Sequence, residues 1–332
     1  MGQTLSEPVT EKHTTNGLSK RVMYGASCMQ GWRISMEDAH TTIPEYNGTL
    51  TSFFAVYDGH GGSEVAKYSG SHLYKRILDS KAYHDGHIRG AMKEGYLGID
   101  EDLRADPQYK NVGSGCTAVA ALITKDNDLY VANAGDSRAV LSVEGRGIAL
   151  SQDHKPTNEK ETRRIEKAGG HVEFGRVNGN LALSRALGDF EFKARPRLSP
   201  EEQMVTADPD IICHRITKKD DFIILACDGI WDCMTNQEAV SFIRTELAKR
   251  TTLDKICEKI MDHCLAGETD TNGYGCDNMT VVIVALLQGA TSEQWYERMA
   301  KDVDKNAAVD GVDLPNILTE DAKDLPAAPP SP

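Results

Sequence analysis

Phe53-Phe54-Ala55-Val56-Tyr57 runs directly into Asp58-Gly59-His60-Gly61-Gly62, and this coupling of an apolar run to an aspartate recurs along the chain. Leu129-Tyr130-Val131-Ala132 leads to Gly135-Asp136-Ser137-Arg138, and Phe222 to Cys227 runs into Asp228-Gly229-Ile230-Trp231-Asp232. Asp277-Asn278-Met279-Thr280 opens the run Val281 to Leu287. Short runs rich in β-branched and aromatic residues read as buried strands. A carboxylate at the rim of a buried sheet is costly to desolvate unless a cation or hydrogen bonds offset the cost. Any single Asp-Gly step is explained as well by a hairpin turn. Four such aspartates together point to a shared site, and all-oxygen ligands point to a hard cation, Mg²⁺ or Mn²⁺. Gly59, with no side chain, lets its carbonyl or a bound ion approach closely.

The rest of the chain frames that site. A length of 332 residues, 40% hydrophobic and 26% charged, suits one large globular core or two ordinary ones. No run approaches the roughly 18 apolar residues of a spanning helix. The N-terminus lacks a charged-then-apolar signal segment, and the eight cysteines are scattered without a C-x-x-C pair. Both features favour an intracellular protein without a disulfide framework: cytoplasmic, with nuclear or reversible membrane association also open. A formal charge of −13, from 37 basic and 50 acidic residues, disfavours nucleic acid as a partner. Most of that acid is explained by a solvated surface.

Residues 1–22, polar and containing Pro8, Asn16 and Gly17, read as a flexible arm. Residues 23–288 alternate strand-like and helix-like patterns, and 289–332 read as a short helix followed by an acidic, Pro-rich disordered tail. The tail helix has a capping-box start, Thr291 with Gln294, and places Trp295, Met299 and Val303 on one face. Packing on the outside of the domain explains that face better than a partner-binding role. Helices are predicted over 63–78, 88–104, 158–168, 236–250 and 253–265. Strands are predicted over 53–57, 117–123, 129–132, 139–143, 222–227 and 280–287. Many strands are neighbours with short connections, so the fold class is α+β, with antiparallel sheets and helices packed outside.

Glu37 and Asp38 add two acids, preceded by Arg33. An ion pair of Arg33 with Glu37 on a helix surface is the plain reading, but Gly31 and its mixed surroundings argue against a regular helix. In an acidic site Arg33 suits a planar clamp for phosphate. His60, two residues from Asp58, is placed to act as an acid toward a leaving oxygen. Other hydrolase and nucleotide chemistries find no support. There is no G-x-x-x-x-G-K-[ST], no G-x-S-x-G, and no cysteine with an arginine six residues on. Gly113-Ser114-Gly115-Cys116 has no strand before it, and Asp208-Pro209-Asp210 is better explained by turn chemistry.

These stretches, together with Tyr24 to Arg33, Met36 to His40, Ser114 to Ala118, Asn133 to Arg138, Gln152 to Pro156 and Arg176 to Asp189, resemble the metal-dependent protein phosphatases of type 2C, the PPM family. They follow the family's order over about residues 23 to 288. The resemblance implies a central sandwich of two antiparallel β-sheets flanked by α-helices on both outer faces, with a metal pair at one end. It implies a serine/threonine phosphatase that opposes kinase signalling, in which a water or hydroxide bridging two Mg²⁺ or Mn²⁺ ions attacks the phosphate directly. Asp58 would bridge the ions, with Glu37, Asp228, Asp277 and the Gly59 carbonyl as further ligands and Asp38 and Asp232 acting through waters. Asp136 with Asp228 resembles a third, weaker ion position. Arg33 would hold the phosphate and His60 would protonate the departing oxygen. The implied partners are phosphoserine and phosphothreonine proteins, and a monomer is expected. A catalytically silent scaffold of the same fold is the alternative, favoured only by lost ligands. Met1-Gly2-Gln3-Thr4-Leu5-Ser6 also fits the pattern for N-myristoylation at Gly2, which would give reversible membrane contact.

Overall fold

The computed structural model describes residues 4–109, 112–269 and 273–301. Its centre is a pair of sheets. One has six strands in the order Thr4–Leu18, Val22–Arg33, Met279–Leu286, Asp220–Ala226, Arg138–Val143 and Arg146–Ala149, every neighbouring pair antiparallel. The other has five, in the order Asp210–Arg215, Asp128–Ala134, Ala118–Ile123, Ser52–Tyr57 and Ala39–Ile43, again antiparallel. The sandwich and its flanking helices match the architecture expected from the sequence.

The continuous apolar runs follow from burial on both faces of each sheet, since successive side chains point opposite ways. Phe54, Val56, Val119, Ala121, Ile223, Leu225, Val282 and Val284 fill the space between the sheets. Phe53, Ala55 and Tyr57 point outward, against Leu73, Ile77, Met92 and Tyr96 of the helices Glu64–Leu78 and Ile88–Ala105. On the opposite side Phe222, Ile224, Val281 and Ile283 meet Val240, Ile243, Ile256 and Ile260 of the helices Asn236–Ala248 and Leu253–Cys264. The five helices predicted within the core agree with the sequence ranges to within two residues at each end, whereas the short helices Lys81–His84 and Asp228–Trp231 were not predicted.

The N-terminal segment corrects the sequence reading. Thr4–Leu18 is not a free arm but the edge strand of the six-stranded sheet, paired with Val22–Arg33 through register shifts near Val9. It lacks the apolar alternation that marks a strand because polar contacts hold it. Thr14 Oγ1 lies 2.9 Å from Ser27 Oγ and donates to Glu258 Oε1 at 2.9 Å. Asn16 donates to Asp254 at 3.1 Å, and Lys12 pairs with Asp262 at 2.6 Å. Four further strands of the two large sheets also escaped prediction, Val22–Arg33, Ala39–Ile43, Arg146–Ala149 and Asp210–Arg215, as did the two-residue strands outside them.

The C-terminal helix, Ser292–Lys301, begins with the expected reciprocal cap. Gln294 N donates to Thr291 Oγ1 at 3.2 Å and Thr291 N donates to Gln294 Oε1 at 2.9 Å. Its Trp295 and Met299 are fully buried against the helical layer, and Trp295 Nε1 reaches the Asp221 carbonyl at 3.2 Å. Val303, the acidic, Pro-rich tail and Gly2 lie outside the described residues. No disulfide joins any of the eight cysteines, and no described helix is long and apolar enough to cross a membrane.

Candidate active site

The acids converge because strands of both sheets end at the same edge of the sandwich. Asp58 follows Ser52–Tyr57 and Asp136 follows Asp128–Ala134, from the five-stranded sheet. Asp228 lies just beyond Asp220–Ala226, and Asp277 lies just before Met279–Leu286, from the six-stranded sheet. Arg33 closes Val22–Arg33, and Glu37 and Asp38 precede Ala39–Ile43. Together Arg33, Glu37, Asp58, Gly59, His60, Asp136, Asp228 and Asp277 line one cavity of about 460 Å³. Asp38 sits behind that lining, buried, while the exposed Asp232 lines a neighbouring groove beside Arg138.

Crowded, desolvated carboxylates resist ionisation. Burial first, then the charges of Asp228, Asp38, Asp277 and Asp136, push Asp58 well above the carboxylate range. Asp228 is raised likewise, by burial and then by Asp136, Asp277 and Asp232. Asp38 is pushed up to about 7 by burial and by Asp277, even though its Oδ2 accepts the Thr280 hydroxyl at 2.7 Å. Its Oδ1 is buried with no hydrogen-bond partner. Asp232 is raised by burial, which Lys155 opposes.

Two acids are neutralised from within. Arg33 Nη2 reaches Asp277 Oδ2 at 2.5 Å, and Lys155 pairs with Asp136. Glu37 is oriented by the Ser35 hydroxyl at 2.7 Å and by the Gly62 amide at 3.1 Å. Gly59 is tightly packed, since a Cβ there would stand 2.2 Å from the Glu37 carbonyl oxygen. Among the described residues no group of three His, Cys, Asp or Glu side chains forms a ready-made ion cage. The donor set nevertheless fits a hard divalent cation. All its donors are oxygen, the buried acids repel one another, and Asp38 keeps an unpartnered oxygen.

His60 is built into the site by a second device. Gly59–His60 pairs with Gly115–Cys116, which pairs in turn with Leu187–Gly188. This small sheet sets His60 against Asp189, whose two carboxylate oxygens each lie 2.8 Å from His60 Nε2. Burial alone would lower the His60 pKa. The hydrogen bond and charge of Asp189, joined by Asp136 and Glu37, outweigh it and hold the imidazole above its ordinary value. Asp189 was not singled out from the sequence because the strand before it is only two residues long. Its sole signal was its place at the end of the run Arg176 to Asp189. Lys155 and Arg176, which also lines the cavity, were missed for the same lack of a periodic context.

The family profile for protein phosphatase 2C matches residues 22–273. Protein phosphatase 2C homolog 2 of Hypocrea jecorina is 53% identical over 312 residues, covering 91% of this chain and 71% of that protein. Protein phosphatase 2C homolog 3 of Schizosaccharomyces pombe is 53% identical over 324 residues, covering 96% and 77%. The crystal structure of a phosphatase from Toxoplasma gondii superposes with a TM-score of 0.72 at 26% identity, over 83% of this chain and 96% of that one. The chain belongs to the protein phosphatase 2C family and is a protein serine/threonine phosphatase of that type.

Proposed function

We propose that the chain removes phosphate from phosphoserine and phosphothreonine proteins by direct attack of water, using two Mg²⁺ or Mn²⁺ ions and no covalent phosphoenzyme. The observation that carries this reading is the meeting of strand-end carboxylates from both sheets with Arg33 and His60 around one cavity. Asp58 would lie between the ions, with Glu37, the Gly59 carbonyl, Asp228 and Asp277 completing the direct ligands. Asp38 and Asp232 would act through waters, and Asp136 with Asp228 would hold a third, weaker ion. Such ions supply an acidified water and neutralise charge on the reacting phosphate oxygens.

The protein's own groups complete the chemistry. Asp277 anchors one nitrogen of the Arg33 guanidinium, leaving the planar fork to bind phosphate oxygens. Asp189 engages His60 Nε2, so the proton delivered to the departing serine or threonine oxygen is the one on Nδ1. The same carboxylate favours the imidazolium, the form an acid needs. Acting in this way the chain opposes protein kinases as a monomer, in the cytoplasm or nucleus, with myristoylated Gly2 giving reversible membrane contact.

Phosphate release from phosphoserine, phosphothreonine and phosphotyrosine peptides, with Mn²⁺, Mg²⁺ or EDTA, tests the reading. Turnover is expected on the first two peptides only, and only with a cation; Asp58→Asn should be inactive. Activity that survives EDTA would refute the metal mechanism.

A further inference from the structure

Phe174 is the most exposed large apolar side chain among the described residues, with 92% of its surface open to solvent. It stands at the tip of a short hairpin, Val172–Glu173 with Arg176–Val177. The two loop residues, Phe174 and Gly175, have φ of +50° and +74°, the backbone of a type I′ turn. Such a loop favours Asn or Asp before Gly, and a bulky aromatic in its first position is held in a strained conformation. Local preference and solvation therefore both oppose phenylalanine here.

The fold draws no compensation from the ring. The hairpin is held instead by buried Val177, by Asn178 Oδ1 accepting the His171 amide at 3.0 Å, and by Arg176 Nη1 donating to the Asn180 carbonyl at 2.8 Å. A strained residue kept in place by a firm scaffold points toward function rather than folding. Its position says which function. Arg176, two residues on, lines the catalytic cavity, as do Leu181 and Leu183. Two residues of chain span at most about 7 Å. The hairpin that carries the ring therefore borders the cavity, with the Phe174 backbone within about 7 Å of that of a lining residue.

We propose that Phe174 is a docking residue for the polypeptide of the phosphoprotein substrate. It receives an apolar side chain from the residues that flank the phosphorylated serine or threonine. Phenylalanine suits the task, offering a large apolar face with few rotatable bonds to immobilise. This inference rests on the protein-phosphatase reading above and adds a sequence preference to it.

The test uses the full chain with Mn²⁺, and three substrates. One is a phosphothreonine peptide with leucine at the second and third positions on both sides. The second is the same peptide with serine at those positions, and the third is p-nitrophenyl phosphate. Phe174→Asn is the informative variant, because asparagine suits the turn and keeps the hairpin. The wild-type protein should prefer the leucine peptide. Phe174→Asn should raise KM for that peptide roughly threefold to tenfold and abolish the preference. Its kcat on p-nitrophenyl phosphate should stay unchanged and its thermal midpoint should be equal or higher. Equal use of the two peptides by the wild type, or a preference that survives in Phe174→Asn, would overturn the inference alone. So would an equal loss on p-nitrophenyl phosphate. Hydrolysis of p-nitrophenyl phosphate with neither peptide cleaved would overturn the protein-phosphatase reading as well.

Discussion

His60 and Asp189 are 129 residues apart in sequence, yet their pairing favours the imidazolium, the form that the proposed acid needs. If His60 protonates the leaving oxygen, its removal should matter most where that oxygen is a poor leaving group. His60→Ala is expected to slow hydrolysis of a phosphoserine peptide by about 10² to 10⁴-fold and to slow an aryl phosphate far less. Steady-state rates on the two substrates check this, and equal losses would remove the acid role. The single-residue view also shows what sequence could reveal. Asp58, Asp228 and Asp277 were legible because each abuts a long apolar run whose burial makes a lone carboxylate costly. Asp189 was not, because its importance is a contact between distant segments, and no local pattern announces it.

The short sheet that joins Gly59–His60, Gly115–Cys116 and Leu187–Gly188 is the element on which that pairing depends. A Cβ on Gly115 would stand 2.2 Å from Asp189 Oδ2, so Gly115→Ala should displace the carboxylate and release His60. The expected result is a folded protein with the substrate bias of His60→Ala: peptide hydrolysis impaired more than aryl phosphate hydrolysis. Wild-type behaviour on both substrates would show that the sheet does not position the acid. Longer elements divide along the same physical line. Central strands such as Ser52–Tyr57 and Met279–Leu286 and the five long helices were legible, because burial imposes a periodic apolar pattern. The edge strand Thr4–Leu18 was not. Its residues are half-buried or exposed, and Thr14, Asn16 and Lys12 hold it through polar contacts that leave no period behind.

The molecule as a whole gathers acids from two sheets onto one edge, so its stability should depend on pH and on divalent cations together. Asp38 titrates near 7 when folded and in the ordinary carboxylate range when unfolded, so between about pH 4 and 7 the folded state keeps a proton the unfolded state has lost. Stability then falls as pH rises through that window, by about 1.4 kcal/mol per pH unit for each such group. Asp58 and Asp228, also raised, act in the same direction. Glu161 opposes them at lower pH. Burial would raise it, but the hydrogen bond and charge of Arg185 hold it at about 2, so its contribution is lost only as pH falls below the usual carboxylate range. A divalent cation held by these acids would bind their deprotonated forms in the folded state alone, and would stabilise by about 2.7 kcal/mol at 100 times its Kd. Thermal midpoints at pH 5 and pH 7.5 separate these effects. In EDTA the midpoint should fall between pH 5 and pH 7.5, whereas saturating Mn²⁺ should raise it more at pH 7.5 than at pH 5. An equal Mn²⁺ gain at both values would mean that the buried acids of the two sheets are not the cation's ligands.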